Sequence, residues 1–117
     1  ASELVRLAKA NPQVVFLGVA PNGFETNATI NSAKSATKIP FPVLRDSGGA
    51  VAKGFGAVAT PSVFVIDAQG KLRYQGAVAD KPKGAKSHYL ADALTAAKSG
   101  ASPAKPKTPV RGSRIKY

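Results

Sequence analysis

The side chains able to do chemistry are few, and the most reactive type is missing: the 117 residues contain no cysteine. Without sulfur there is no thiolate nucleophile, no disulfide and no thiolate metal ligand. The single histidine, His88, stands where the pattern predicts the first turn of a helix. That suits an exposed or capping residue, and one imidazole makes no metal site. Asp46 and Asp67 sit at the start of a helix and of a turn, and are read as cap and turn acids rather than catalysts. Gly48-Gly49 and Lys53-Gly54 lack the Gly-Lys-Ser/Thr order of a phosphate loop, and Tyr74, Tyr89 and Tyr117 are too scattered to stack bases. Ser2, near the start, has no adjacent base to activate it. What remains is a backbone feature, Thr60-Pro61, immediately before the strongest apolar run. A proline there cannot donate to a strand ladder and must lie just outside the paired region, where an X-Pro bond can be cis.

The elements that position this dipeptide follow from the apolar spacing. Ser62 to Ile66 is a β-branched and aromatic run that predicts a strand buried on both faces. Asp67-Ala68-Gln69-Gly70 is turn chemistry, and Lys71 to Gly76 alternates as a half-exposed hairpin partner. Upstream, Ser2 caps a helix over about residues 2–10 that Asn11-Pro12 stops, and Val14 to Val19 predicts a second strand buried on both faces. Thr26 or Asn27 opens a small-residue helix ending near Ile39-Pro40. Phe41 to Leu44 is extended, and Asp46-Ser47 caps a short helix closed by Gly56. After a polar loop from Asp80 to Lys86, Ser87 caps a helix that buries Tyr89, Leu90, Ala93, Leu94 and Ala97.

Composition sets the bounds. One domain is expected for this length, with 44% apolar residues to build a modest core. No apolar run reaches the ~20 residues that span a bilayer, and no secretory signal opens the chain. The chain begins at Ala1 and has no methionine, as expected of a processed product, a fragment or the ordered part of something longer. The net charge of +11 is uneven. Residues 1–80 carry eight Lys/Arg against five Asp/Glu, whereas residues 81–117 carry nine against one. From Ala101 onward Pro103, Pro106 and Pro109 alternate with basic residues, which predicts an extended tail.

Thr60-Pro61-Ser62-Val63-Phe64-Val65-Ile66-Asp67, with Gly70-Lys71 following, resembles the signature of the thioredoxin-like superfamily. The fuller run Phe41-Pro42-Val43-Leu44-Arg45-Asp46, Val51-Ala52-Lys53-Gly54-Phe55-Gly56 and Thr60-Pro61 is similar to its redoxin branch, which includes the alkyl hydroperoxide reductase and thiol-specific antioxidant proteins. The resemblance implies an α/β fold, a mixed sheet flanked by helices. It also implies a cis proline whose loop faces an active-site cysteine, so Thr60 and Pro61 are carried over as a substrate or partner loop. The cysteine of that family sits at the first helix's N-terminus, a place held here by Ala1-Ser2-Glu3. The ending Pro109-Val110-Arg111-Gly112-Ser113-Arg114-Ile115-Lys116-Tyr117 resembles a redoxin tail that carries Gly-Cys before a basic, apolar finish, with Ser113 at the cysteine's position.

The resemblance also implies an absence. The superfamily's minimal order begins with a strand, whereas this chain begins with the helix after it. The expectation is an N-terminally incomplete thioredoxin-like domain over residues 1–100 and a basic extended tail over 101–117. The absent strand would lie between the counterparts of Val14–Val19 and Ser62–Ile66. Each unmatched buried backbone group on such an edge costs ~1–3 kcal/mol, so something must fill it. Upstream residues are the preferred source, ahead of a partner's strand or direct pairing of the two flanking strands.

Two function classes follow. One is a redox-inactive binding or scaffold module in a larger assembly. The other is the C-terminal part of a thiol-dependent peroxidase or disulfide oxidoreductase whose catalytic cysteine lies upstream of Ala1. No catalysis, metal or cofactor is expected of the chain as it stands. Lys105, Lys107, Arg111, Arg114 and Lys116 are expected tail contacts to an acidic protein surface, while nucleic acid is disfavoured because charge alone gives no specificity. Redoxins of this kind occur inside cells and in the periplasm, and the lack of cysteine selects neither.

Overall fold

A computed structural model describes residues 2–81, 83–110 and 112–117, with the side chain of Ser2 also outside the description. The chain builds two compact units: one of residues up to Val58 together with Arg114–Tyr117, the other of Ala59–Ser113.

In the first unit, helix α1 (Ser2–Ala10) buries Leu7 and ends where the Asn11 amide donates to the Leu7 carbonyl at 2.8 Å. Strand β1 (Gly18–Ala20) runs parallel to β2 (Val43–Arg45), in the register Gly18 to Val43 through Ala20 to Arg45. Between them helix α2 (Asn27–Thr37) starts at Thr26, whose hydroxyl accepts the Thr29 N–H while the Thr29 hydroxyl accepts the Thr26 N–H. That reciprocal cap fixes the start, and Lys38, left-handed at φ 58°, fixes the end. One 3-10 turn (Ser47–Gly49) leads into α3 (Ala50–Phe55). The buried Asp46 carboxylate accepts the Val51 N–H at 3.1 Å and the Ala52 N–H at 2.9 Å, the capping role its position predicts.

Arg114–Tyr117 returns to this unit as a strap. Ile115 is buried and its N–H donates to the Val58 carbonyl. Lys116 donates its N–H to the Asn22 side chain at 2.8 Å and accepts the Gly23 N–H at 2.6 Å. The Tyr117 hydroxyl donates to the Ala57 carbonyl, and the Lys53 ammonium lies 4.4 Å from the Tyr117 ring centroid.

The expected burial of Val14–Val19 on both faces is corrected. Only Gly18–Ala20 is strand, and Val15 is 92% exposed and Leu17 56%. One side of this run packs: Phe16 meets Phe41 at 5.6 Å between ring centroids, and Gly18 lies against Val43. Val15, Leu17 and Val19 point the other way, and Leu44, directly opposite Val19 on β2, is exposed with them. Among the described residues β1 has β2 alone as a strand neighbour, so its second edge carries no ladder.

In the second unit β3 (Ala59–Thr60) precedes the hairpin of β4 (Val63–Ile66) and β5 (Leu72–Gly76), paired antiparallel with an irregularity between Val65 and Ile66. Val65 and Tyr74, opposite one another, are buried beneath helix α4 (Tyr89–Lys98), which contributes Leu90, Ala93 and Leu94. The two-sided burial expected of Ser62–Ile66 is corrected as well, since Ile66 is 50% exposed beside Leu72. Ser87 is not the helix cap: that position belongs to His88. Ser87 is instead bound backward to Asp80, whose N–H donates to the Ser87 carbonyl and whose carboxylate accepts the Lys86 and Ser87 N–H groups. Among the described residues β4 has β5 as its strand partner.

The hairpin turn is organised by Asp67. Its carboxylate accepts the Gln69 N–H at 2.9 Å, the Lys71 N–H at 3.0 Å and the Arg73 guanidinium at 2.6 Å. The Lys71 N–H first, then Arg73, hold its pKa below the ordinary carboxylate value. A lowered folded pKa contributes stability that is complete above the unfolded value and is lost as pH falls through the folded one. Asp67→Asn is therefore expected to be less stable than the parent at neutral pH, with the gap closing below about pH 4, as urea unfolding across pH would record.

Candidate functional site around the cis-proline loop

The Thr60–Pro61 peptide bond is cis. Thr60 is half-buried and Pro61 is exposed at the mouth of β4, where the Ser62 hydroxyl donates to the Ala59 carbonyl at 2.6 Å and closes the turn. Strand β6 (Ser113–Arg114) pairs with β3, and its Ser113 end belongs to the same unit as the loop. Gly112 lies so close to the loop that a Cβ on it would overlap the Thr60 carbonyl. The structure thus places Ser113, exposed, next to Thr60–Pro61, a neighbourhood created by the intervening hairpin, helix and ribbon.

Around this loop the chemistry is that of peptide groups and hydroxyls. The carboxyls with displaced pKa values are Asp67 in its turn and Asp80, held low by the Ser87 N–H first and then by that of Lys86. Burial pushes the Tyr74 hydroxyl up. All three serve local architecture. Among the described residues no three His, Asp or Glu side chains come together as metal ligands. No described helix is long and apolar enough to cross a membrane.

The tail residues separate. Lys105 and Lys107 lie on an extended ribbon beside β5: the Gln75 N–H donates to the Pro106 carbonyl, the Thr108 N–H donates to the Gln75 carbonyl, and Gln75 and Lys107 form a parallel bridge. Arg114 and Lys116 belong to the strap on the first unit, and Arg111 lies outside the described residues. The residue that fixes the ribbon, Thr108, carries no functional signal in the sequence. It is buried, its hydroxyl is 2.6 Å from the Tyr74 hydroxyl, and it accepts the Ala77 N–H at 3.1 Å.

Parallel β1 and β2 joined through α2 in one unit, and an antiparallel hairpin packed on α4 in the other, make a thioredoxin-like α/β protein. The chain matches the Redoxin family over residues 2–94 and belongs to it. Among solved structures it is similar to an uncharacterized conserved protein from Geobacillus kaustophilus, 27% identical with a TM-score of 0.87, covering 98% of this chain and 67% of that one. A hypothetical protein from Sinorhizobium meliloti 1021 is similar at 27% identity and a TM-score of 0.86, covering 97% of this chain and 68% of that one. No curated protein matches the chain.

Proposed function

We propose that this chain is a redox-inactive thioredoxin-like binding module, a subunit or ordered part of a larger assembly, whose contact face is the Thr60–Pro61 loop with Ser113 beside it. The observation that carries the reading is an exposed Thr60–Pro61 loop in a chain of the Redoxin family whose 117 residues contain no cysteine. The loop offers shape and peptide groups to an extended segment, and no sulfur to react with it. The edge of β1 that has no strand partner among the described residues, and the exposed Val15, Leu17, Val19 and Leu44, support membership of an assembly, since a further strand would satisfy that edge and cover that face.

A second reading is favoured by one observation. The solved relatives are longer than this chain, which spans about two thirds of each. In that reading the same loop belongs to a thiol-dependent peroxidase or disulfide oxidoreductase whose cysteine lies outside the 117 residues. The experiment that separates the two is thiol titration of the natural polypeptide, combined with turnover of hydrogen peroxide and of a disulfide substrate.

A further inference from the structure

We propose that the Asp80–Ser87 loop and the Pro103–Thr108 ribbon together form a lysine-rich docking surface for an acidic, Asp/Glu-rich protein segment. The surface is distinct from the cis-proline loop, and neither reading depends on the other.

Five lysines make it up: Lys81, Lys83 and Lys86 on the loop, and Lys105 and Lys107 on the ribbon, all exposed. The two stretches are neighbours, because Ser87 and Tyr89 share a small recess with Pro103, Ala104 and Lys105, and the Lys105 ammonium lies 5.4 Å from the Tyr89 ring centroid. None of the five is in an ion pair among the described residues. The nearby acids are committed elsewhere or outnumbered. Asp80 is occupied by the Lys86 and Ser87 N–H groups, Asp67 by Arg73 and its own turn, and Asp92 alone faces the recess. Lys81 also acts on the Asp80 carboxylate, yet five ammonium groups against Asp80 and Asp92 leave an excess of positive charge for a partner.

Both supports are anchored at described residues, which lowers the ordering cost of binding. Asp80 staples the loop at three hydrogen bonds, and the ribbon is held by Gln75 and by the buried Pro103 and Thr108. Prolines at 103, 106 and 109 remove N–H donors, so the ribbon offers side chains rather than a further strand edge.

What surrounds the charge favours an acidic protein segment. All five cations are ammonium groups, point charges that pair one at a time with carboxylates or phosphates. The Tyr89 ring is covered by Lys105, leaving no platform for a base, and the loop carries no large apolar side chain to enter a bilayer.

The test uses the full chain and fluorescent poly-L-glutamate, with a DNA duplex and phosphatidylglycerol vesicles as competing probes. Poly-L-glutamate is expected to bind more tightly than either, and to weaken at least about tenfold between low and high salt. Reversal in Lys81→Glu/Lys83→Glu/Lys86→Glu, and separately in Lys105→Glu/Lys107→Glu, is expected to cut the affinity about tenfold or more, whereas Arg114→Glu/Lys116→Glu changes it less than about twofold. Tighter binding of the duplex or the vesicles would overturn the proposal. So would unchanged binding in both loop and ribbon variants, or a loss confined to the Arg114/Lys116 variant.

Discussion

Thr108→Val is expected to destabilise the protein by about 1–3 kcal/mol, the cost of leaving a buried backbone donor without a partner. The Tyr74 hydroxyl already donates to the Ala77 carbonyl at 2.5 Å, so the Thr108 hydroxyl donates to Tyr74 while its oxygen accepts the Ala77 N–H. Valine keeps the volume and deletes both bonds, and Tyr74, only 1% exposed, admits no water in their place. The loss is also topological, because this junction holds the ribbon beside β5. Urea unfolding should show a lower midpoint at unchanged slope, and Thr108→Ser, which retains the hydroxyl, should recover most of it. A valine variant as stable as the parent would mean that the ribbon is held by its backbone bonds to Gln75 alone.

Gly112→Ala is the second large effect, and it acts on the functional loop. The added Cβ would overlap the Thr60 carbonyl and crowd the Pro61 nitrogen, backbone atoms that cannot swing aside as a side chain would. Strand β6 must then move off β3, at a cost of about 1–3 kcal/mol typical of overpacking. Ser113 would leave the loop with it. Amide exchange at Thr60 and Ser113 should accelerate about tenfold for each 1.4 kcal/mol lost, a local signature that separates this variant from Thr108→Val. Unchanged exchange at both amides would contradict the close packing of Gly112 on the loop.

Local signals proved legible where one residue decides the geometry. Asp46 at a helix start, Thr26 before α2, the Asp67 turn and Thr60–Pro61 before β4 all stand where side-chain chemistry or proline sterics point. Burial was less legible. Val15, Leu17 and Ile66 have the apolar, β-branched or branched character of buried strand positions, yet hydrophobicity reports a preference and not the presence of a neighbour to satisfy it. The cap position of α4 falls on His88 rather than Ser87, whose backbone N–H and carbonyl are paired with Asp80, a contact seven residues apart that no capping rule contains. The meeting of Ser113 with Thr60 and of Thr108 with Tyr74 depends on how the chain returns after α4. Prolines at 103, 106 and 109 show that this return is extended, without giving its destination.

The central claim, that the chain binds through its cis-proline face without redox chemistry, meets its most direct test in the natural polypeptide. Thiol titration under denaturing conditions, alongside peroxide and disulfide turnover, is predicted to give no titratable thiol and no consumption of either substrate. A reactive thiol with turnover that ends on its alkylation would contradict the account, and would make the Thr60–Pro61 loop one wall of an oxidoreductase active site.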